Sequence, residues 1–210
     1  MYLIGLTGTA RHGKDTVYTI LVEIFLRYTQ AKGLPPADIP PATFIRRYAI
    51  ADRLKMEVAA AWGVTLEEIN ANKDFWRPLL QAWGNTKRVT HGENCWLDQV
   101  EHQIEKDRPQ IAIITDVSYP NEFAWCRVKY AGVVWRVLRP GVPAPNNHAT
   151  EHGRANEPVE YTIVNDGTIN DLRIAVAVAL DEWTNRYHDI PPANGARTEA
   201  AASSAGAPSA

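Results

Sequence analysis

Residues 8 to 14, Gly-Thr-Ala-Arg-His-Gly-Lys, set two glycines and a lysine at the spacing G-x4-G-K. They follow the apolar run 2–6 (YLIGL) and precede the long apolar stretch 17–28 (VYTILVEIFLRY). Strand, glycine-bearing loop and helix, in that order, form the context that a phosphate-binding loop needs. Gly8 and Gly13 let the backbone curl until successive N–H groups face one anion, and the helix opening near Lys14 turns its positive dipole end to the same point. Lys14 then reaches the β- and γ-phosphates as a point charge. The residue after the lysine is usually a Ser or Thr whose hydroxyl ligates magnesium. Here Asp15 stands in that place and Thr16 follows, so the metal falls to one of these two.

The rest of the chain alternates strands with helices. IAIIT at 111–115 is a β-branched run without polar alternation, as in a strand covered on both faces of a parallel sheet. VVWRVL at 133–138 and YTIV at 161–164 read as further strands. Helical patterns cover 51–61 and 75–83, with Pro78 in a first turn or at a kink. Asn94 is placed to cap a helix through Lys106, a further helix runs from Asn121 to Tyr130 with Gly132 as its stop, and Thr168 with Asp171 resembles a capping box for a helix to about Tyr187. The expectation is an α/β fold, a three-layer α/β/α sandwich around a mainly parallel sheet.

Composition bounds what such a fold can serve. At 210 residues, with 45% hydrophobic and 22% charged side chains, residues 1–190 are expected to form one domain. Residues 191–210 hold no Ile, Leu, Val or aromatic and are expected to be a disordered tail. Lys and Arg number 22 against 24 Asp and Glu, so there is no chain-wide basic field for nucleic acid and any basic site must be local. Only Cys95 and Cys126 are present, which suits a reducing compartment. The N-terminus lacks the charged and long apolar regions of a signal peptide, and no apolar run approaches the ~20 residues of a membrane span. A soluble cytoplasmic protein without membrane contact is expected.

Asp116, at the carboxyl end of the apolar strand, is expected to act on the transferred phosphate or its metal, with helix capping as the alternative. The proline-rich passage 33–42 and the aperiodic stretch 139–158 read as loops, the second long enough to be a lid. Arg139 and Arg154 flank that lid, and Arg139, at a strand end, is the one expected to close on the γ-phosphate. His148, Glu151 and His152 match H-x-x-E-H but lie between prolines and glycines without a third ligand, so zinc is not expected there, nor at His91 and Cys95.

The segments GLTGTARHGKDT, RLKMEVAAAWGV, RPLLQAWGN, ITDVSYPNE, RVLRPG, HATEH and TIVNDGTINDL, in this order, resemble bacteriophage deoxynucleoside monophosphate kinases, over roughly residues 2–175. The resemblance implies a phosphate-loop fold of the nucleoside monophosphate kinase kind. It also implies transfer of the γ-phosphoryl of ATP to a deoxynucleoside monophosphate with Mg²⁺, in the host's cytoplasm if the chain is a bacteriophage's. By position it assigns Arg11, His12, Gly13, Lys14, Asp15 and Thr16 to ATP and metal. Lys55, Arg77, Gly84, Asn85 and Trp96, in the acceptor region of about 51–107, go to the acceptor nucleotide together with Asp116. Gln81, one turn beyond Arg77, is placed either to meet a base edge or to pack between helices. Trp62, Trp76, Trp83 and Trp96 fall in the same third of the chain, one to stack on a base and the rest to pack. One departure is Ser118, where such kinases usually have an arginine; it removes a cation near the acceptor and points to an altered nucleotide preference.

Two other functions fit the phosphate loop. A kinase for a hydroxylated acceptor, resembling a dephospho-coenzyme A kinase, would need a carboxylate base, for which Asp52 is available. An NTP-hydrolysing switch would need partner surfaces, and the chain carries no N-K-x-D run in the expected place. The partners expected are small nucleotides, and the exposed aromatics leave room for a homodimer.

Overall fold

The computed structural model describes residues 1–31, 44–143 and 157–187. Five strands, β1 (Tyr2–Thr7), β2 (Ile45–Tyr48), β3 (Ile111–Val117), β4 (Val133–Leu138) and β5 (Tyr161–Val164), form one sheet in the order β2-β3-β1-β4-β5. Every pairing is parallel, and Ile4 on central β1 is in register with Ile113 on one side and Val133 on the other. The carboxyl ends of β1, β3 and β4 therefore lie side by side, where ligands bind in sheets of this type.

Strand alternation sorts the apolar side chains into two cores. Ile4, Leu6, Ile113 and Trp135 face α1 (Lys14–Ala31) and α7 (Ile169–Tyr187), which bring Leu21, Phe25, Val176 and Trp183. Leu3, Ala112, Ile114 and Val134 face the other way, against α2 (Ile50–Trp62), α5 (Cys95–Asp107) and α6 (Pro120–Tyr130). The expected three-layer sandwich is the result. A smaller cluster around Val58, Ala59 and Ile69 joins α2 to α3 (Leu66–Ala71) and α4 (Lys73–His91), building a helical arm over the carboxyl edge of the sheet.

Three elements depart from the sequence reading. β2 was not expected, because IRRY carries two charged residues; it is an edge strand with Arg46 exposed. α4 runs to His91, and Pro78 is its sixth residue, not part of its first turn. Pro78 removes only the N–H that would have met the Asp74 carbonyl. β3 extends two residues further than IAIIT, so Asp116 lies inside the strand. The short α3 opens with a reciprocal capping box between Thr65 and Glu68. Among the described residues no helix is long and apolar enough to cross a membrane. The passage 33–42, the centre of the expected lid with Arg154 and the H-x-x-E-H motif, and the tail all lie outside the described residues.

Candidate active site

The loop between β1 and α1 is held in shape by the neighbouring strand ends. Gly8 has φ +137°, and a Cβ there would run into the carbonyl oxygen of Val137 on β4. Gly13 has φ +97°, and a Cβ there would sit 2.6 Å from the Asn165 side-chain amide, which donates to the His12 carbonyl at 3.0 Å. Arg11, at φ 68°, holds the left-handed conformation that disfavours side chains. The buried His12 ring spans the carbonyl oxygens of Val137 at 3.2 Å and Val142 at 3.1 Å. Its side chain thus anchors the loop to the end of β4. Lys14 Nζ donates to the carbonyls of Gly8 at 2.7 Å and Thr9 at 3.0 Å, folded across the loop mouth. Asp15 and Thr16 are exposed in the first turn of α1.

A cavity of about 240 Å³ lies between α2, α4, α5 and the end of β3. Lys55, Arg77, Gln81, Gly84, Asn85, Trp96 and Asp116, the seven residues expected at the acceptor, all line it. Five of its lining positions, Arg77, Gln81, Gly84, Asn85 and Arg88, share the spacing of one helix face of α4. That spacing was the signal for Arg88, which the sequence reading passed over. Gly84 is buried, and a Cβ there would come 3.3 Å from a Leu54 methyl, so it lets α4 approach α2. The Trp96 indole is 1% exposed and donates to the Gly84 carbonyl at 3.4 Å; it closes the wall between helices and presents no open stacking face. Trp83 packs within the arm and donates to Glu57 at 3.2 Å, while the exposed Trp62 meets it edge to face from outside.

Asp116 does cap a helix, though not the one that follows it. Ala49, at the N-cap of α2, has no side chain to offer. Instead the amides of Ile50 and Ala51 donate to Asp116 Oδ1 and Oδ2, each at 2.8 Å. Burial pushes the Asp116 carboxyl up, the two amides and Lys55 pull it down, and Asp52 adds to the upward push. Asp52 itself is held by Arg47 at 2.9 Å and Lys55 at 3.2 Å, so it orients two cations and is not a free base.

A second cavity, about 710 Å³, lies between the phosphate loop and the arm. It shares Ala51, Lys55, Lys73, Arg77 and Asp116 with the first. Its walls carry six cations, Arg11, Lys14, Arg47, Lys55, Lys73 and Arg77, against the carboxylates of Asp15, Asp74 and Asp116. A chain of net charge −2 thus gathers a local positive site, the arrangement that polyanionic phosphates require. Asp74 spans the two halves by accepting from Arg11 at 2.9 Å and Arg77 at 3.4 Å. Asp74 is 69% exposed and Arg11 67%, so that link is worth ~0–1 kcal/mol and yields readily to a phosphate. Arg139 is exposed beyond the end of β4 and lines neither cavity.

Ser118 lines the first cavity beside a buried ion pair. Glu122, 1% exposed, accepts from the Ser118 and Tyr119 amides at 2.6 and 3.0 Å and from Arg88 Nη2 at 2.9 Å. Burial pushes its carboxyl up to about 7, against the pull of those amides and of Arg88. The Arg88 guanidinium lies 3.9 Å from the centre of the Tyr119 ring, and the Tyr119 hydroxyl donates to Asn85 Oδ1 at 3.2 Å.

Comparison with known proteins bears on this arrangement. A family model described as deoxynucleotide monophosphate kinase matches residues 42–176. The deoxynucleoside-5'-monophosphate kinase of Escherichia phage T5 is 24% identical over 238 aligned residues, covering 83% of this chain and 94% of that one. Among solved structures, shikimate kinase from Aquifex aeolicus aligns with a TM-score of 0.41 and 14% identity, over 87% of this chain and 98% of its own. A Thermus thermophilus protein aligns with a TM-score of 0.43 and 15% identity, over 86% and 97%.

Two predictions follow from the geometry of the loop and of Glu122. Gly8→Ala forces a side chain against the Val137 carbonyl at an unfavourable φ, and is expected to cost at least ~2 kcal/mol, read as a lowered Tm. For Glu122 the folded carboxyl titrates near 7 and the unfolded one near 4.5, so between these values only the folded state keeps the proton. Its contribution to stability is therefore complete below about 4.5 and is lost as the pH rises through 7. In Tm measurements across pH 4.5–8 the wild type should lose ground to Glu122→Gln over that window; a constant difference would contradict the assignment.

Proposed function

The chain belongs to the deoxynucleotide monophosphate kinase family, and from that membership we propose how its two adjoining cavities divide the work. ATP lies on the phosphate loop and a deoxynucleoside 5'-monophosphate lies along α4. The γ-phosphoryl group passes between them, giving ADP and the deoxynucleoside diphosphate. The observation that carries this reading is the shared wall: Lys55, Lys73, Arg77 and Asp116 border both cavities.

The chemistry asks little of the protein beyond placement and charge. The acceptor phosphate is already anionic, so the oxygen of the new P–O bond needs no general base, and the broken β–γ bond leaves its electrons on ADP. What opposes the reaction is repulsion between two anionic groups, which the cations of the shared wall offset. Lys14 leaves its two carbonyl partners to meet the β- and γ-phosphates. Arg77 and Lys55 meet the acceptor phosphate, and Arg77 exchanges Asp74 for it. Gln81 and Asn85 follow on the same face of α4, about 6 and 12 Å further along at 1.5 Å per residue, which suits the sugar and base of a nucleotide.

Asp116 acts through α2: by holding its first two amides it fixes the helix that carries Lys55. The donor set at the loop suits magnesium. Asp15 and Thr16 offer the hard oxygens that magnesium takes. Bound with ATP, it would supply charge neutralisation on the β- and γ-oxygens.

The test is ADP release from ATP and Mg²⁺ against a panel of deoxynucleoside monophosphates, ribonucleotides and dephospho-coenzyme A, with an acceptor-free control. ADP formed only with deoxynucleotides supports the reading; ADP formed equally without acceptor overturns it in favour of simple hydrolysis. Lys14→Ala is expected to lower kcat by ~10²–10³ with the fold intact. Arg77→Ala should raise the acceptor KM by ~10–100-fold while leaving ATP affinity unchanged, and steady-state kinetics with each substrate varied in turn would show it.

A further inference from the structure

Of the segments that carry the family resemblance, TIVNDGTINDL lines neither cavity, yet Asn165 within it touches the phosphate loop. Asn165 follows β5 directly, and its backbone N–H donates to the Leu138 carbonyl at 2.8 Å, continuing the pairing of β5 with β4. Just beyond, the Thr168 amide donates to Asp171 Oδ2 at 2.7 Å and the Asp171 amide to Thr168 Oγ1 at 3.3 Å, a reciprocal cap that fixes the start of α7. The turn is therefore held on both sides. From that footing the Asn165 side-chain amide donates to the His12 carbonyl at 3.0 Å. Only the N–H end of the amide suits this contact, because a carbonyl accepts and cannot donate.

Other contacts hold the loop on either side of that bond. The His12 ring rests on the carbonyls of Val137 and Val142, and its N–H donates to the Thr9 carbonyl at 3.3 Å. The Gly13 carbonyl accepts from the Val17 amide at 2.9 Å, in the first turn of α1. Between them lies the His12–Gly13 peptide, and Gly13, at φ +97°, lacks the side chain that would limit its rotation. A trans peptide is planar, with its C=O and N–H pointing opposite ways. While Asn165 holds the carbonyl toward the β5 turn, the Gly13 N–H faces away from that turn, and among the described residues nothing accepts from it. Half a turn of the plane would offer a bound anion the negative end of a carbonyl in place of a donor.

We propose that Asn165 is a positioning residue for phosphoryl transfer: through the His12 carbonyl it keeps the Gly13 N–H aimed at the phosphates of ATP. A donor set in advance needs no reorganisation as charge develops in the transition state. The effect falls on the ATP side, since the acceptor cavity is walled by other elements. An aspartate in place of Asn165 would lose the donor and add a negative charge beside the loop. The inference rests on the reading given above, in which ATP lies on the phosphate loop.

The experiment follows the assigned Gly13 amide by NMR in the full chain during titration with ATP and Mg²⁺, beside steady-state kinetics of the wild type, Asn165→Ala and Asn165→Asp. In the wild type, ATP is expected to move the Gly13 amide proton downfield as it enters a charge-assisted hydrogen bond. Both variants should shrink that movement and lower kcat/KM for ATP by about 10- to 100-fold, Asn165→Asp more than Asn165→Ala, with the acceptor KM unchanged. A role confined to stability would lower Tm and leave the Gly13 response and the kinetic constants of the folded variants as they are, and that result overturns the inference. So does a wild type that phosphorylates deoxynucleotides while its Gly13 amide is unmoved by ATP; this outcome needs no variant and leaves the kinase reading standing. A wild type that neither binds ATP nor transfers phosphate overturns both.

Discussion

Two backbone amides on one carboxylate hold the halves of the site together. Ile50 and Ala51 open α2, and their N–H groups, with no partner inside the helix, end on Asp116 near the end of β3. β3 pairs with β1, whose end becomes the phosphate loop. The acceptor arm is thereby tied to the same sheet edge that presents the loop, and Lys55, one turn into α2, comes to stand between the two cavities. An anionic side chain suits this place because it meets the positive end of the α2 dipole, and that interaction offsets part of the cost of its burial.

Charge follows from the same geometry. The chain carries slightly more acid than base, yet the walls of the larger cavity are rich in Arg and Lys. Several of these cations rest on carboxylates, Arg47 and Lys55 on Asp52, Arg11 and Arg77 on Asp74. The two carboxylates differ in exposure. Asp52 is partly shielded, so its pairs persist and orient Arg47 and Lys55. Asp74 is open to water, so its pairs are weak and break at little cost.

Much of this was legible in the sequence because it is local. The glycine spacing and the apolar run of β3 are patterns within one element, and helical spacing placed Gln81 one turn beyond Arg77; Arg77, Gly84 and Asn85 came from the family resemblance, and all four α4 residues line the first cavity. Arg88 lies on that same face and could have been read from it. The rest depends on contacts between distant segments. Nothing near Asp116 in sequence says that it caps a helix 66 residues earlier. Nothing near His12 predicts that its ring will be taken by Val137 and Val142. β2 escaped notice because an edge strand needs few apolar residues, and IRRY has an arginine pair at its centre.

The central claim is that the two cavities are one continuous site joined at Lys55, Arg77 and Asp116. Titration calorimetry with an adenosine and a deoxynucleoside linked through five phosphates, compared with ATP and the deoxynucleotide alone, tests it most directly. A continuous site predicts that the linked compound binds at least ~10²-fold tighter than either half, since the second half binds intramolecularly. Binding no tighter than ATP alone would mean that the cavities do not hold both nucleotides in line, and would contradict the account.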